Sequence, residues 1–191
     1  MNKCIIISGK SGHGKDMLAH FMRERLEEEG QRVLTIHYGD AVKWVLKDFF
    51  NWDGQKDEKG RTLLQHIGTD VVRAKYPNFW TTIVAGLVSS FENEFDVVLI
   101  PDARFPNEVE IVMDMVPNTV CARIERKNPD GSMWLNPAFT ETQLQHPSET
   151  SLDNYNFDYV VHNDEGLDVL KESAITLLAD LRLIKEGENN D

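Results

Sequence analysis

Residues 9 to 15 read Gly9-Lys10-Ser11-Gly12-His13-Gly14-Lys15, a GxxxxGK spacing. Glycines so placed let the backbone curl until successive N–H groups point inward at phosphate oxygens, while Lys15 neutralises the outer phosphates. The apolar run Cys4, Ile5, Ile6, Ile7 precedes the motif and a helix-period segment follows it, which is the strand-loop-helix context this chemistry needs. The helix adds its positive N-terminal end. The segment from Lys10 to Asp16 is therefore expected to bind the phosphates of a nucleoside triphosphate. Where a Ser or Thr hydroxyl usually meets Mg²⁺, Asp16 follows Lys15. Its carboxylate is an oxygen donor for a hard cation. The plainer alternative is an acidic residue stabilising a helix N-terminus by roughly 0.3–1 kcal/mol.

A second acidic residue, Asp102, closes the apolar run Val97-Val98-Leu99-Ile100-Pro101. At the end of a buried strand it is placed to hold Mg²⁺ or orient an acceptor oxygen. Arg104 stands two residues on, where a guanidinium stabilises charge on a phosphoryl group in transfer; the other reading is an ion pair at a helix start. With Lys15, these form the expected catalytic set, and Asp16 and Asp102 the expected metal ligands.

The elements that would carry these residues alternate. Lys3 to Ser8 reads as a strand buried on both faces, since its hydrophobicity is continuous. Leu18, Phe21, Met22 and Leu26 recur at helical spacing and Gly30 ends that helix. Arg32 to His37 reads as a second strand, and Ala41 to Phe50 as helix with Asp40 as N-cap. A polar loop covers residues 51 to 60, followed by helices over about 61–75 and 78–93 divided by Pro77. Strands follow at 96–100, 119–125 and 157–162, with helices at 105–115 and 167–184. The pattern predicts an α/β fold, a three-layer sandwich of about five parallel strands with helices on both faces.

With 191 residues, 41% of them hydrophobic, the chain is long enough for one well-cored domain, and no linker or repeat divides it. Residues 127–156 form a long irregular stretch bearing Pro129, Pro137 and Pro147, read as a lid over substrate or as a surface excursion. No apolar run approaches the roughly 20 residues that span a bilayer, and the chain enters a strand with no signal peptide before it, so a soluble cytoplasmic protein is expected. Cys4 and Cys121 read as small buried thiols. A net charge of −12 opposes nucleic-acid binding, which rests on neutralising phosphates. A local basic pocket for a small phosphorylated substrate needs only a few of Lys10, Lys15, Arg61, Arg73, Arg104, Arg123 and Arg126. The acidic tail, residues 186–191, reads as a solvated end.

Taken in order, GKSGHGKD, GDAVKWVL, RTLLQHIGTDVVR, DARFPNE, and HPSE followed by LDNYNFDYVVHND resemble the deoxynucleoside monophosphate kinases of tailed bacteriophages. The resemblance covers nearly the whole chain. It implies a P-loop kinase moving the γ-phosphate of ATP to a dNMP, with Mg²⁺, in host-cell cytoplasm. Lys15-Asp16 matches the family's Lys-Asp, while Met17 stands where Thr is frequent. The acceptor set implied is Tyr38, Asp40, Arg61, Gln65, Gly68, Thr69, Trp80, Arg104 and Glu108. Arg61 and Gln65 share a helix face, offering a phosphate clamp and an amide for a base edge. Trp80 is either a flat surface near the base or core filler; Trp44 and Trp52 have weaker claims. Arg123 and Arg126 stand at the base of the 127–156 segment. His146, Ser148 and Glu149 are marked by the resemblance, with no mechanism from their spacing; His146 reads as structural or helix-capping and Ser148 as an N-cap type. The rival readings are another small-molecule P-loop kinase, similar to dephospho-coenzyme A kinase or phosphomevalonate kinase, and a non-catalytic nucleotide-binding switch. A homodimer is compatible with the sequence.

Overall fold

The computed structural model describes residues 3–185; the acidic tail lies outside the described residues. Its centre is a sheet of five parallel strands in the order β2-β3-β1-β4-β5, with β1 (Lys3–Ser8), β2 (Val33–Thr35), β3 (Val97–Ala103), β4 (Thr119–Glu125) and β5 (Tyr159–His162). Register sets Ile6 of β1 opposite Ile100 on one side and Cys121 on the other. Because side chains alternate faces, β1 feeds two cores. Ile5 and Ile7, with Leu99 and Ile124, meet Leu18, Met22 and Leu26 of α1 (Lys15–Glu28) and Leu170 and Leu178 of α8 (Leu167–Asp180). Cys4 and Ile6, with Val98, Ile100 and Cys121, meet Val84 and Val88 of α4 (Phe79–Ser90) and Val109 and Val112 of α5 (Pro106–Met115). Covering on both faces explains why the strands read as unbroken apolar runs. Burial pushes the Cys4 and Cys121 thiols up to about 12, so both stay protonated.

A third, smaller cluster joins Val42 and Leu46 of α2 (Tyr38–Phe50) to Ile67 and Trp80. It fastens α3 (Glu58–Gln65) and a following π-helical segment, His66–Arg73, to the C-terminal side of the sheet. Here the structure departs from the sequence reading. The helix expected from residue 61 begins at Glu58 because the Asp57 carboxylate accepts the Gly60 N–H at 2.8 Å. Asp40 is not an N-cap: α2 begins at Tyr38, two residues before it. Its first N–H groups, Tyr38 and Gly39, donate to the Asp102 carboxylate at 2.9 and 2.8 Å, a cap supplied from β3 across the sheet edge. The second strand is shorter than expected, and β3 runs on through Asp102 to Ala103.

Residues 127–156 are not structureless. They hold a Lys127–Met133 bridge and two single-turn helices, α6 (Glu141–Leu144) and α7 (Pro147–Thr150), each opened by a side-chain cap, Thr140 and His146. No helix is long and apolar enough to cross a membrane among the described residues.

Leu178 is fully buried between α8 and the sheet. Leu178→Ala is expected to cost about 2–5 kcal/mol, since the cavity left there is lined by a sheet that cannot collapse. For a chain of this size that lowers the melting temperature by roughly 5–15 °C, measurable by thermal denaturation.

Candidate functional site

The strands point their C-terminal ends at one cavity of about 620 Å³, where β1 gives way to the glycine loop, β2 to His37 and β3 to Asp102 and Arg104. In an open parallel sheet this edge, beside the central strand, is where ligands bind. The cavity brings together Ser11, Gly12, Lys15, Asp16, Tyr38, Arg61, Gln65, Gly68, Thr69, Trp80, Asp102, Arg104 and Glu108. Of the site candidates named from the sequence, Lys10, His13, Gly14, Asp40, Trp44, Trp52, Arg123, Arg126 and His146 do not line it.

The loop's glycines are needed for close approach. A Cβ on Gly9, at φ 149°, would lie 2.5 Å from the Ile124 carbonyl oxygen, and one on Gly12, at φ 82°, would lie 2.6 Å from the Trp134 ring. Only glycine tolerates both the backbone and the contact. His13 turns away from the cavity and is fully buried: its Nδ1 accepts the Arg126 N–H at 3.2 Å, leaving Nε2–H to donate to the Trp134 carbonyl at 2.9 Å. Burial lowers its pKa and keeps it neutral. Asn136 Nδ2 donates to Ser11 Oγ at 3.2 Å. The 127–156 segment thus lies directly on the glycine loop.

Lys15 is the buried cation of the loop, 8% exposed, with Nζ donating to the Gly9 and Lys10 carbonyls at 2.8 and 2.9 Å. Burial, reinforced by the Arg104 charge, lowers its pKa to about 7. Lys10 instead turns to Asp153 at 2.7 Å and the Glu149 carbonyl at 2.9 Å.

Asp16 keeps its side chain 80% exposed and accepts from His37 Nε2 at 3.2 Å; that bond lowers the Asp16 pKa and raises that of His37. His37 Nδ1 also faces Asp40 at 3.2 Å, and Asp40 pairs with Lys43. Burial raises the pKa of Asp102 despite its two backbone donors. Each Asp102 oxygen takes one N–H, which leaves a lone pair on each. No cluster of three or more acidic, His or Cys side chains that would cage a metal exists among the described residues. Two separated carboxylates suit a cation that keeps waters and takes its remaining ligands from phosphates, as Mg²⁺ does.

Across the cavity, Arg61, Gln65, Thr69 and Arg73 follow one another at four-residue spacing. In an α-helix such a row drifts around the axis, because each turn has 3.6 residues. The wider π turn from His66 drifts the other way, so all four keep facing the cavity. Arg61 donates to the Ala138 carbonyl at 3.1 Å and lies 5.2 Å from the Phe139 ring centroid. Gln65 Nε2 reaches the Gln143 carbonyl and Ser148 Oγ, both at 3.4 Å. Trp80 is 2% exposed and donates to the Gly68 carbonyl at 2.9 Å, so it anchors the π segment as well as lining the wall.

Glu108, expected to meet a sugar or base, has both oxygens engaged by protein: one by Arg73 and the other by the Arg104 and Phe105 N–H groups. Burial raises its pKa to about 7 against the pull of Arg73. The Tyr38 hydroxyl donates to the Glu108 carbonyl at 2.6 Å and is buried; burial raises its pKa.

Sequence reasoning missed several residues of the wall. His37 and Lys56 lie outside the quoted motifs, and Phe105 and Lys43 lie inside DARFPNE and GDAVKWVL without being singled out. Arg73, named from the sequence as a basic-pocket candidate, does line the cavity, and what went unread was its place as fourth member of the Arg61 row. Its guanidinium carbon lies 4.0 Å from the Phe105 ring centroid, and its Nε is buried with no hydrogen bond. Glu149 was marked by the resemblance but its role had no signal, because its partners, Ser11 and Arg104, are 138 and 45 residues away.

No protein-family model matches the chain. It is 29% identical to the phosphomevalonate kinase of Drosophila melanogaster over 191 residues, covering 94% of this chain and 96% of the relative. Its fold is similar to that of an unliganded sugar kinase from Janibacter sp. HTCC2649 (TM-score 0.58, 15% identity, 97% of this chain and 100% of the other). It is also similar to the APS kinase of Mycobacterium tuberculosis in complex with AMPPNP and APS (TM-score 0.50, 15% identity, 93% and 98%). The five-stranded parallel sheet with helices on both sides, as the sequence predicts, is the P-loop kinase-like fold.

The depressed pKa of Lys15 has a consequence for ligand binding. With a folded value of about 7, the free protein at pH 8 holds Lys15 largely neutral, whereas a bound polyphosphate favours the ammonium. Binding of a non-hydrolysable ATP analogue at pH 8 is expected to take up a proton and to weaken as pH rises from 7 to 9. Calorimetry in buffers of different ionisation enthalpy measures the uptake, which Lys15→Ala removes.

Proposed function

We propose that the protein is an ATP-dependent phosphotransferase whose acceptor is a small phosphate monoester, a deoxynucleoside monophosphate in the reading the side chains favour. The observation that carries this is that the row Arg61, Gln65, Thr69 and Arg73 lines the same cavity as the glycine loop and Arg104, so that several cations share one pocket. ATP phosphates on the loop would take N–H groups from its backbone and the remaining N–H of Lys15, whose other donors hold the Gly9 and Lys10 carbonyls. An acceptor phosphate held by Arg61 would then lie in line with the γ-phosphate. Catalysis in this chemistry is mostly positioning and neutralisation. Arg104 supplies positive charge where the phosphoryl group passes. Asp16 and Asp102 would hold Mg²⁺, which would supply positive charge to the phosphates. The 127–156 segment, in contact with the loop through Trp134 and Asn136, would exclude water that would hydrolyse ATP.

Gln65 and Thr69, polar and uncharged beside Val42 and Leu64, support a planar base with donor and acceptor edges. The likeness to phosphomevalonate kinase along nearly the whole chain favours a second acceptor, phosphomevalonate, also a phosphorylated compound. ADP formation measured across deoxy- and ribonucleoside monophosphates and phosphomevalonate separates the two. Turnover of phosphomevalonate alone rejects the nucleotide reading, and no turnover with any of them rejects the phosphotransferase.

Two variants test the roles assigned. Arg61→Ala is expected to raise KM for the acceptor about ten- to a hundredfold, the worth of a charge-assisted hydrogen bond to phosphate, with KM for ATP little changed. Equal losses for both substrates would remove Arg61 from the acceptor site. Asp16→Ala is expected to raise the Mg²⁺ concentration giving half-maximal rate. A lower melting temperature with an unchanged Mg²⁺ titration would instead leave Asp16 a helix-end residue.

A further inference from the structure

The turn at residues 146–149 has no part in the function just proposed, yet its glutamate joins the elements that flank the transferring group. Glu149 Oε2 accepts the Ser11 N–H of the glycine loop at 2.9 Å, and Oε1 accepts Arg104 Nη1 at 2.7 Å. The side chain is 5% exposed. A carboxylate this buried persists only when paired and hydrogen-bonded, and here the partners come from the residue after β3 and from the loop after β1. The turn itself is tied down. Lys10 Nζ donates to the Glu149 carbonyl at 2.9 Å, Arg123 Nη1 donates to the Leu152 carbonyl at 2.8 Å, and His146 caps α7. Arg104 meanwhile uses only Nη1 in its side-chain hydrogen bonds, to Glu149 and the Ser148 carbonyl, so Nε and Nη2 have no such bond among the described residues.

We propose that Glu149 is a positioning residue: it sets the distance between Arg104 and the glycine loop, so that the remaining guanidinium donors face the phosphoryl group during transfer. The inference rests on the phosphotransferase reading above. The opposite arrangement, in which the carboxylate occupies the place of a phosphate and must be expelled from Ser11 and Arg104, predicts the opposite sign on mutation.

The test uses the full chain with Glu149→Gln, Arg104→Ala and the double variant, reading kcat, both KM values, and affinities for ADP and for ADP with Mg²⁺ and aluminium fluoride, a mimic of the group in transfer. Glu149→Gln is expected to lower kcat about ten- to a hundredfold, the scale of a small misplacement, with both KM values within about threefold. ADP affinity should stay within about twofold, while ADP–aluminium fluoride binds at least about tenfold more weakly. In the Arg104→Ala background the same substitution should add less than about threefold, because the two side chains act as a unit. Glu149→Asp retains the charge with a shorter reach and serves if the glutamine variant does not fold; it should lose kcat with KM preserved. Multiplicative losses in the double variant, equal weakening of ADP and the mimic, wild-type kcat in Glu149→Asp, or any gain in rate overturns the proposal. Wild-type protein that forms ADP but shows those outcomes fails this inference alone, whereas wild-type protein that neither binds ADP nor forms it fails the phosphotransferase reading and this inference with it.

Discussion

Burial of charge at the C-terminal edge of a parallel sheet is the constraint on which the rest of this structure depends. Lys15, Arg104, Glu108 and Glu149 lie below or near the surface, where an unpaired charge costs several kcal/mol, so each must have a partner fixed in place. The partners come from distant parts of the chain. Glu108 holds the Arg104 N–H and the Arg73 guanidinium; Glu149 holds the Arg104 side chain and the glycine loop. Arg104 is therefore gripped at its backbone by one glutamate and at its guanidinium by another. A cation so constrained has little reorganisation left to undergo when charge develops beside it, which is the condition for electrostatic catalysis.

The same constraint explains how α2 and the acceptor wall are placed. Asp102 is a half-buried acid at a strand end, and the otherwise unpaired N–H groups of a helix start satisfy it. That pairing draws the α2 N-terminus onto the sheet edge, and Val42 and Leu46 then carry Ile67 and Trp80, and with them the π segment, into register. Trp80 closes the arrangement by donating to Gly68. The wall that bears Arg61, Gln65, Thr69 and Arg73 is thus mounted on the carboxylate that faces the glycine loop. Any ligand or ion that engages Asp102 acts on the element that carries the Arg61 row.

What was legible in the sequence was local. The glycine loop is a continuous string whose physical requirement is continuous, so GKSGHGK declares both its shape and its charge. The strands were legible because two-sided burial leaves no polar interruption. The start of α2 was not legible, since the best local N-cap, Asp40, loses to a carboxylate 62 positions further along the chain, Asp102. The π segment was hidden because i,i+4 spacing reads as α-helix, although the drift of a strict four-residue row is itself a hint of a wider turn. His13 shows the limit of motif reading: its position in the loop suggested contact with phosphate, but its ring is fully buried between Ile124 and Trp134 and anchors the 127–156 segment.

Glu149 illustrates why a residue can be conspicuous in sequence and opaque in role. A carboxylate beside a phosphate-binding loop looks unfavourable, because it adds negative charge where negative charge must bind. The geometry reverses that argument. Arg104 carries more donors than one carboxylate engages, and a monodentate contact at Nη1 neutralises part of the guanidinium while leaving its remaining edge directed into the cavity. With Lys15, Arg61 and Arg73 on the same cavity, the local balance stays positive although the chain as a whole carries −12. The acidic residues of the site are thus best understood as fixing where its positive charge lies. Because the loop, the strand end and the irregular segment all meet at Glu149, the contacts of that one carboxylate tie the position of Arg104 to both the glycine loop and the 127–156 segment.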